Sequence, residues 1–367
     1  LRRSTTLLKA KIICIFALLI LISGCAGRMP ASGWSSPIVS GETLYIGSPR
    51  GRVYALDAAT GQKRWETKIV AEKSTIGLYS SPTVGEGLVY LGTFEGKVVA
   101  LDAEKGGVRW EFETGGPVVA TPLMGGDTLS HRDTLVYVTS SDHKVYALSA
   151  QDGSKVWEFE TEARIWGGEA LEGGLLYIGS FDGKLYALHE ESGEKIWEFQ
   201  AGGAIASTPC LAQGVVYFGS LDNKVYALDA DSGEKIWEFK AKNWVWSQPL
   251  VSGERLYFGS LDHKMYALDR EGNEVWAFET GGAIRSSPLL AQGLLIFGSV
   301  DGYLYALDQE TGKEIWRFPK EGRLAAIYST PSVDQETLYF SSYEGKVYAL
   351  LVENGSPLWE FEMDKEG

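Results

Sequence analysis

Apolar and polar residues alternate along this chain in short runs that recur from one end to the other. In residues 215–239 the runs VVYFGS, KVYALD and KIWEF follow one another, separated by Leu-Asp-Asn and by Ala-Asp-Ser-Gly-Glu. Short runs rich in Val, Ile, Tyr and Trp read as β-strands, and the Asp-Gly, Asp-Asn, Asp-His and Ser/Thr-Gly pairs between them tolerate the positive φ of tight turns. Val225 to Leu228 leave no polar face, so the sheet that contains them needs cover on both sides. A Ser/Thr-Pro phrase leads most copies of the unit. The pattern predicts sheets of four antiparallel strands.

The unit is written eight times. Its last run carries Trp65, Trp110, Trp157, Trp197, Trp237, Trp276, Trp316 and Trp359 in turn, a period of about 42 residues that belongs to propellers. Radial stacking covers both faces of every sheet, so the predicted fold is all-β: an eight-bladed β-propeller of four-stranded antiparallel blades, over residues 34–367. The first strand of each blade would lie nearest the axis. Crowding there explains the Ser, Thr, Ala and Gly that precede each proline.

Ahead of the propeller, Arg2, Arg3, Lys9 and Lys11 precede an apolar run from Ile12 to Ile22, followed by Ser23-Gly24-Cys25. The run falls short of the ~20 residues that span a bilayer. It fits an export signal over residues 1–24. Ile-Ser-Gly-Cys resembles a bacterial lipobox, which implies acylation of Cys25 at the head of a short linker, 25–33. Ala26 stands after it where an inner-membrane retention signal has Asp, so the resemblance implies an outer-membrane protein facing the periplasm. Loss of the four basic residues and no acidic one takes the formal net charge from −14 to −18. That excludes a basic nucleic-acid footprint and leaves the acyl chain as the membrane anchor.

Repetition separates ordinary residues from unusual ones. The eight tryptophans serve packing, and His143 and His263 occupy a turn position held elsewhere by Gly96, Gly183 and Asn223. Asp229, Asp231 and Gly233 imitate a calcium loop without its closing bidentate Glu, and they read as a capped turn. Cys210, the one cysteine left in the fold, aligns with Ile38 and Leu250 as a small core residue. No disulfide or metal-ligand spacing follows. No catalytic, cofactor-binding or metal site emerges, and the expectation is a non-enzymatic protein, monomeric on its own.

Variation at one position points the other way. Three residues before each inner-strand proline, or its substitute, stand Trp34, Tyr79, Val119, Trp166, Ala206, Trp246, Arg285 and Tyr328, and Trp244 lies two residues ahead of Trp246 in NWVWSQP. Near-identical blades predict one residue type at a core position; this mixture predicts an asymmetric rim around one mouth of the channel. Arg164, Lys242 and Arg323 lie in the same loops, and Glu169 replaces the proline of blade 4. Trp, Tyr and Arg dominate contact energies at protein interfaces. The candidate partner-binding residues are therefore Trp34, Tyr79, Arg164, Trp166, Glu169, Trp244, Trp246, Arg285 and Tyr328. The competing reading is local packing that plugs the channel.

ALDADSGEKIW (227–237) resembles the quinoprotein-type (PQQ-like) repeat, Ala-Leu-Asp-x-x-x-Gly-x-x-x-Trp, and its Ala-Leu, Gly and Trp recur in all eight copies. Within that superfamily, an eight-bladed single-domain lipoprotein is similar to the BamB-like family. The similarity implies a membrane-anchored scaffold with a protein partner, the machinery that assembles β-barrels in the outer membrane. The chain departs from that family in two places. PLWEFEM (357–363) supplies the outer strand of blade 8, where the family uses an N-terminal strand. Arg164-Ile165-Trp166 matches the family's Leu-x-Leu-Arg contact in part, and Ala204 and Ala206 replace its acidic pair. Two alternatives remain: a binder of glycan or another small polymer that stacks on the tryptophans, and a quinone-dependent dehydrogenase. The resemblance gives the latter a cofactor on the propeller axis, with a carboxylate-ligated calcium ion and a vicinal disulfide, and a single cysteine cannot form the disulfide.

Overall fold

The computed structural model describes residues 35–71, 74, 76–125 and 134–364; Cys25, Trp34 and the segments 1–24 and 25–33 lie outside them. Among the described residues, thirty-two strands form eight four-stranded antiparallel sheets, each made of four strands consecutive in sequence. Blade 5 shows the pattern with Cys210–Ala212 innermost, then Val215–Gly219, Lys224–Asp229 and the outer strand Lys235–Lys240. The two middle strands are buried over nearly their whole length. That is the burial expected of sheets covered on both faces.

The repeat motif is the joint between blades. Each outer-strand tryptophan donates its indole N–H to a backbone carbonyl in the next blade: Trp197 to Ala230 at 3.0 Å, Trp237 to Arg270 at 2.7 Å, and so around to Trp359, which reaches Ala58 of blade 1 at 3.0 Å. Its ring lies on the turn glycine of that neighbour. A Cβ on Gly233 would sit 2.7 Å from the Trp197 ring, and φ there is +72°. Leu-Asp, Gly and Trp therefore recur together because each tryptophan needs the next blade's turn. His143, Asn223 and His263 hold φ of +75°, +72° and +74° in the turns where other blades use glycine. Ser232 donates its N–H and its hydroxyl to Asp229, which makes that loop a capped turn.

Blade 8 is built wholly from the C-terminal part of the chain, with Pro357–Glu362 as its outer strand. It meets blade 1 through an apolar cluster that includes Leu44, Ile46, Tyr54, Tyr339 and Val347, with Trp359 packed against it. Ser341 Oγ, at the end of the second strand of blade 8, donates to Ser35 O at 3.0 Å, and Thr330 N donates to Ser36 Oγ at 2.8 Å, which ties blade 8 to the segment entering blade 1.

Candidate functional site

The inner strands of all eight blades line an axial cavity of about 480 Å³. Ser36, Ser81, Thr121, Gly168, Thr208, Gln248, Ser287 and Thr330 contribute one residue per blade. Several are linked around the ring: Gly168 N donates to Thr208 Oγ1, Gln248 N to Ser287 Oγ, and Ser287 N to Thr330 Oγ1. Small hydroxyl residues recur here because Ser36, Ser81, Thr208, Ser287 and Thr330 each satisfy a backbone N–H of a neighbouring blade in little space.

The loop that enters each inner strand is held from both sides. In NWVWSQP, Val245 N donates to Ser220 O of blade 5, and Trp244 O accepts from Leu261 N of blade 6. Val245 is fully buried. An extended backbone sends alternate side chains to opposite sides, so Trp244 and Trp246 flank Val245 and both point to the mouth. The same construction places Arg164 and Trp166 around buried Ile165, Ala204 and Ala206 around Ile205, Ala283 and Arg285 around Ile284, and Ala326 and Tyr328 around Ile327.

Two tiers result. In the lower tier Trp166 and Trp246, from blades 4 and 6, meet with centroids 6.2 Å apart over the space left by Ala206. Arg285 lies 5.5 Å from the Trp246 ring and 5.5 Å from that of Tyr328, and Tyr328 packs edge-on to Tyr343 at 5.5 Å. Tyr79 is buried against Phe94 at 5.5 Å, and burial pushes its hydroxyl pKa up to about 12. The upper tier is open. Trp244 is 44% exposed, and the Arg164 guanidinium lies 4.5 Å from both the Trp166 and Phe181 rings at the surface. Trp166 also donates its indole N–H to Ser141 Oγ at 3.0 Å. The mouth thus has two tiers: in the lower one Trp166, Trp246, Arg285 and Tyr328 pack on one another, and in the upper one Arg164 and Trp244 are exposed.

Glu169 is not on the rim. It is 5% exposed on the channel wall, and neither carboxyl oxygen has a hydrogen-bond partner. Burial raises its pKa to about 8, against smaller opposing effects of its own backbone and of Thr139. Its surroundings change with it: Gly167-Gly168 replaces the usual hydroxyl pair, and Thr139, at a site that is glycine in most blades, donates to Gly167 O at 3.0 Å. Cys210 is partly buried on the inner strand of blade 5, and burial raises its thiol pKa. Among the described residues no group of three His, Cys, Asp or Glu side chains is placed to hold a metal ion.

Phe94, Phe181 and Tyr343 belong to the mouth and escaped the sequence reading. They share one position, after the Gly/Ser-Ser or Gly-Thr that ends the second strand, where other blades carry Pro49, Ser141, Leu221, Leu261 and Val300. That variation was the available signal. Lys242 and Arg323 are exposed in the entering loops.

A family model described as the β-propeller of the beta-alanine-activating enzyme matches residues 118–366, and one described as outer membrane protein assembly factor BamB matches residues 25–76. No curated protein matches the sequence significantly. Among solved structures, BamB from Moraxella catarrhalis is similar at 20% identity over 85% of this chain and 95% of its own, with a TM-score of 0.71. A computationally designed protein, Ika8, is 13% identical over 88% of this chain and 97% of its own, with a TM-score of 0.75. A europium-containing methanol dehydrogenase is 16% identical over 88% and 84%, with a TM-score of 0.67. At these identities the structural likenesses carry the fold alone.

Proposed function

The chain belongs to the β-propeller family described for the beta-alanine-activating enzyme, a PQQ-like repeat propeller of BamB-like form, and from that premise we propose that it is a non-enzymatic scaffold that docks a protein partner on its aromatic channel mouth. The observation that carries this reading is the break in repeat symmetry. Eight blades share nearly every packing residue, yet Arg164, Trp166, Trp244, Trp246, Arg285 and Tyr328 gather at one end of the axis, with Trp244 and Arg164 outermost. Large aromatic and Arg side chains are the groups that anchor protein interfaces. The channel lining supports the non-enzymatic part of the reading, since its donors are hydroxyls, one amide and a single carboxylate, a poor set for a carboxylate-ligated ion beside a quinone.

In the same proposal Cys25 is acylated, the propeller faces the periplasm from the outer membrane, and the partner belongs to the β-barrel assembly machinery. The lipobox-like Ile-Ser-Gly-Cys and the assembly-factor match over residues 25–76 support it. The test places a photo-crosslinking amino acid at Trp244 of the full-length chain in living cells. A discrete protein adduct, absent when the probe sits at exposed Glu254 in the turn between the first two strands of blade 6, is expected. Equal, diffuse labelling from both positions would remove the docking face. Cys25→Ser should abolish labelling by a palmitate analogue; retained labelling would remove the anchor.

A further inference from the structure

The protein is acidic, with 48 Asp and Glu against 34 Lys and Arg, and its blade surfaces pair basic groups with carboxylates. Lys144 meets Glu158 at 2.7 Å, Lys195 meets Glu198 at 2.7 Å, and Arg64 meets Asp57 at 2.7 Å. The channel mouth breaks that habit. Among the described residues, neither Arg164 nor Arg285 has a carboxylate partner, and Arg285 Nε is buried with no acceptor. Each guanidinium instead lies against two aromatic rings, Arg164 against Trp166 and Phe181, Arg285 against Trp246 and Tyr328.

A ring face attracts the cation but accepts little of its hydrogen bonding. The N–H groups of Arg164 and the terminal ones of Arg285 therefore stay without an acceptor, and their natural complement is a carboxylate, which Arg164 can take bidentately. The Trp166–Trp246 contact links the two guanidiniums in one row across the mouth. We propose that this row binds an acidic segment of a protein, whose side-chain carboxylates are taken by Arg164 and Arg285 while Trp244 packs on an adjoining apolar side chain. The inference rests on the docking-face reading above and names the chemistry of the partner. A sugar polymer fits less well, because guanidiniums already lie against the rings of Trp166, Trp246 and Tyr328 on which it would stack. Trp244 is exposed on the same rim and packs on no other ring or cation among the described residues.

A random peptide library selected on the full-length chain tests this. Enrichment of Asp- and Glu-bearing peptides is expected. Their affinity, read by fluorescence anisotropy, should fall about tenfold or more on Arg285→Gln, on Arg164→Gln, and on Asn/Gln replacement in the peptide, the loss expected for a charge-assisted bond. Combining a protein change with the peptide change should add little. Arg164 is exposed, so its variant keeps the test valid should Arg285→Gln unfold. Binders indifferent to Asn/Gln replacement would overturn the proposal, as would a library with no rim-dependent binder. Oligogalacturonate that competes with the peptides and shows the same arginine dependence would overturn it in favour of an acidic glycan. If Trp244→Ala abolishes binding and both arginine variants leave it intact, the docking face stands and the acidic-segment proposal falls. If none of the three variants matters, both fall.

Discussion

Trp244 and Trp246 stand two residues apart, and their surroundings separate their roles. Trp244 is open to solvent, whereas Trp246 touches Trp166 and Arg285. Trp244→Ala should therefore change stability by less than about 0.5 kcal/mol, and Trp246→Ala should cost about 1–3 kcal/mol through lost ring and cation contacts. Thermal melting of the single variants separates them; equal losses would contradict the two-tier mouth. Glu169 supports a second expectation. Below its ordinary value of 4.5 the carboxyl is protonated in folded and unfolded chains alike, and its contribution is complete. Between 4.5 and about 8 the unfolded chain releases the proton while the buried group keeps it, so stability falls with rising pH by up to about 1.4 kcal/mol per unit. Glu169→Gln should remove that slope, measured by denaturant unfolding across pH 5 to 9. A variant with the same slope as the parent would show that Glu169 does not titrate in this range.

At the scale of the blade, the turn glycine and the outer tryptophan act as one joint. Gly233→Ala would combine a strained φ of +72° with a Cβ only 2.7 Å from Trp197, whereas Gly214, at φ +75°, has nothing within 4 Å of the added atom. Both substitutions carry the left-handed penalty of about 1–2 kcal/mol, and only the first also displaces a neighbour. Gly233→Ala should lower the melting temperature by clearly more, and equal shifts would show that the tryptophan yields freely. The outer strand has its own economy. Trp237 pairs with Ala227 and Lys235 with Leu228, which leaves Ile236 between them as the extra residue of a bulge, half exposed. Bulges and charged pairs such as Lys235–Glu238 at 2.8 Å protect a free edge from adding strands. Strand order and blade phase were legible in the sequence because they depend on alternation and turn residues, which are local. The contact of Trp166 with Trp246 was not, because it depends on Ala206 of the intervening blade. The burial of Glu169 was equally hidden, since proline and Glu at that position differ in chemistry but not in the direction the backbone gives them.

Closure of the ring is a property of the whole molecule, and there the repeat reverses its polarity. In an ordinary blade a turn aspartate accepts from a tyrosine four residues on and from an N–H in the segment leaving the previous blade: Asp222 accepts from Tyr226 and from Gly202 N, and Asp262 from Tyr266 and from Lys242 N. Blade 1 carries Arg50 at the aspartate position. The carboxylate comes instead from Asp364, which follows blade 8 at the position equivalent to Gly202. It accepts from Arg50 N at 3.0 Å, Ser48 Oγ at 3.0 Å and Tyr54 Oη at 3.2 Å, and its own N–H donates to Tyr54 Oη at 3.0 Å. The sequence showed the arginine and the aspartate more than 300 residues apart, and only closure brings them together. Asp364→Gly should weaken the joint by about 1–3 kcal/mol, the loss of a partly buried carboxylate with several donors. Arg50→Asp alone should destabilise as well, by placing two carboxylates at one turn. Together they restore the arrangement of the other blades, an aspartate facing a leaving glycine, so the double variant should melt above either single one. Additive losses would show that the seam is not equivalent to the other joints and that Asp364 holds it by contacts the repeat does not provide.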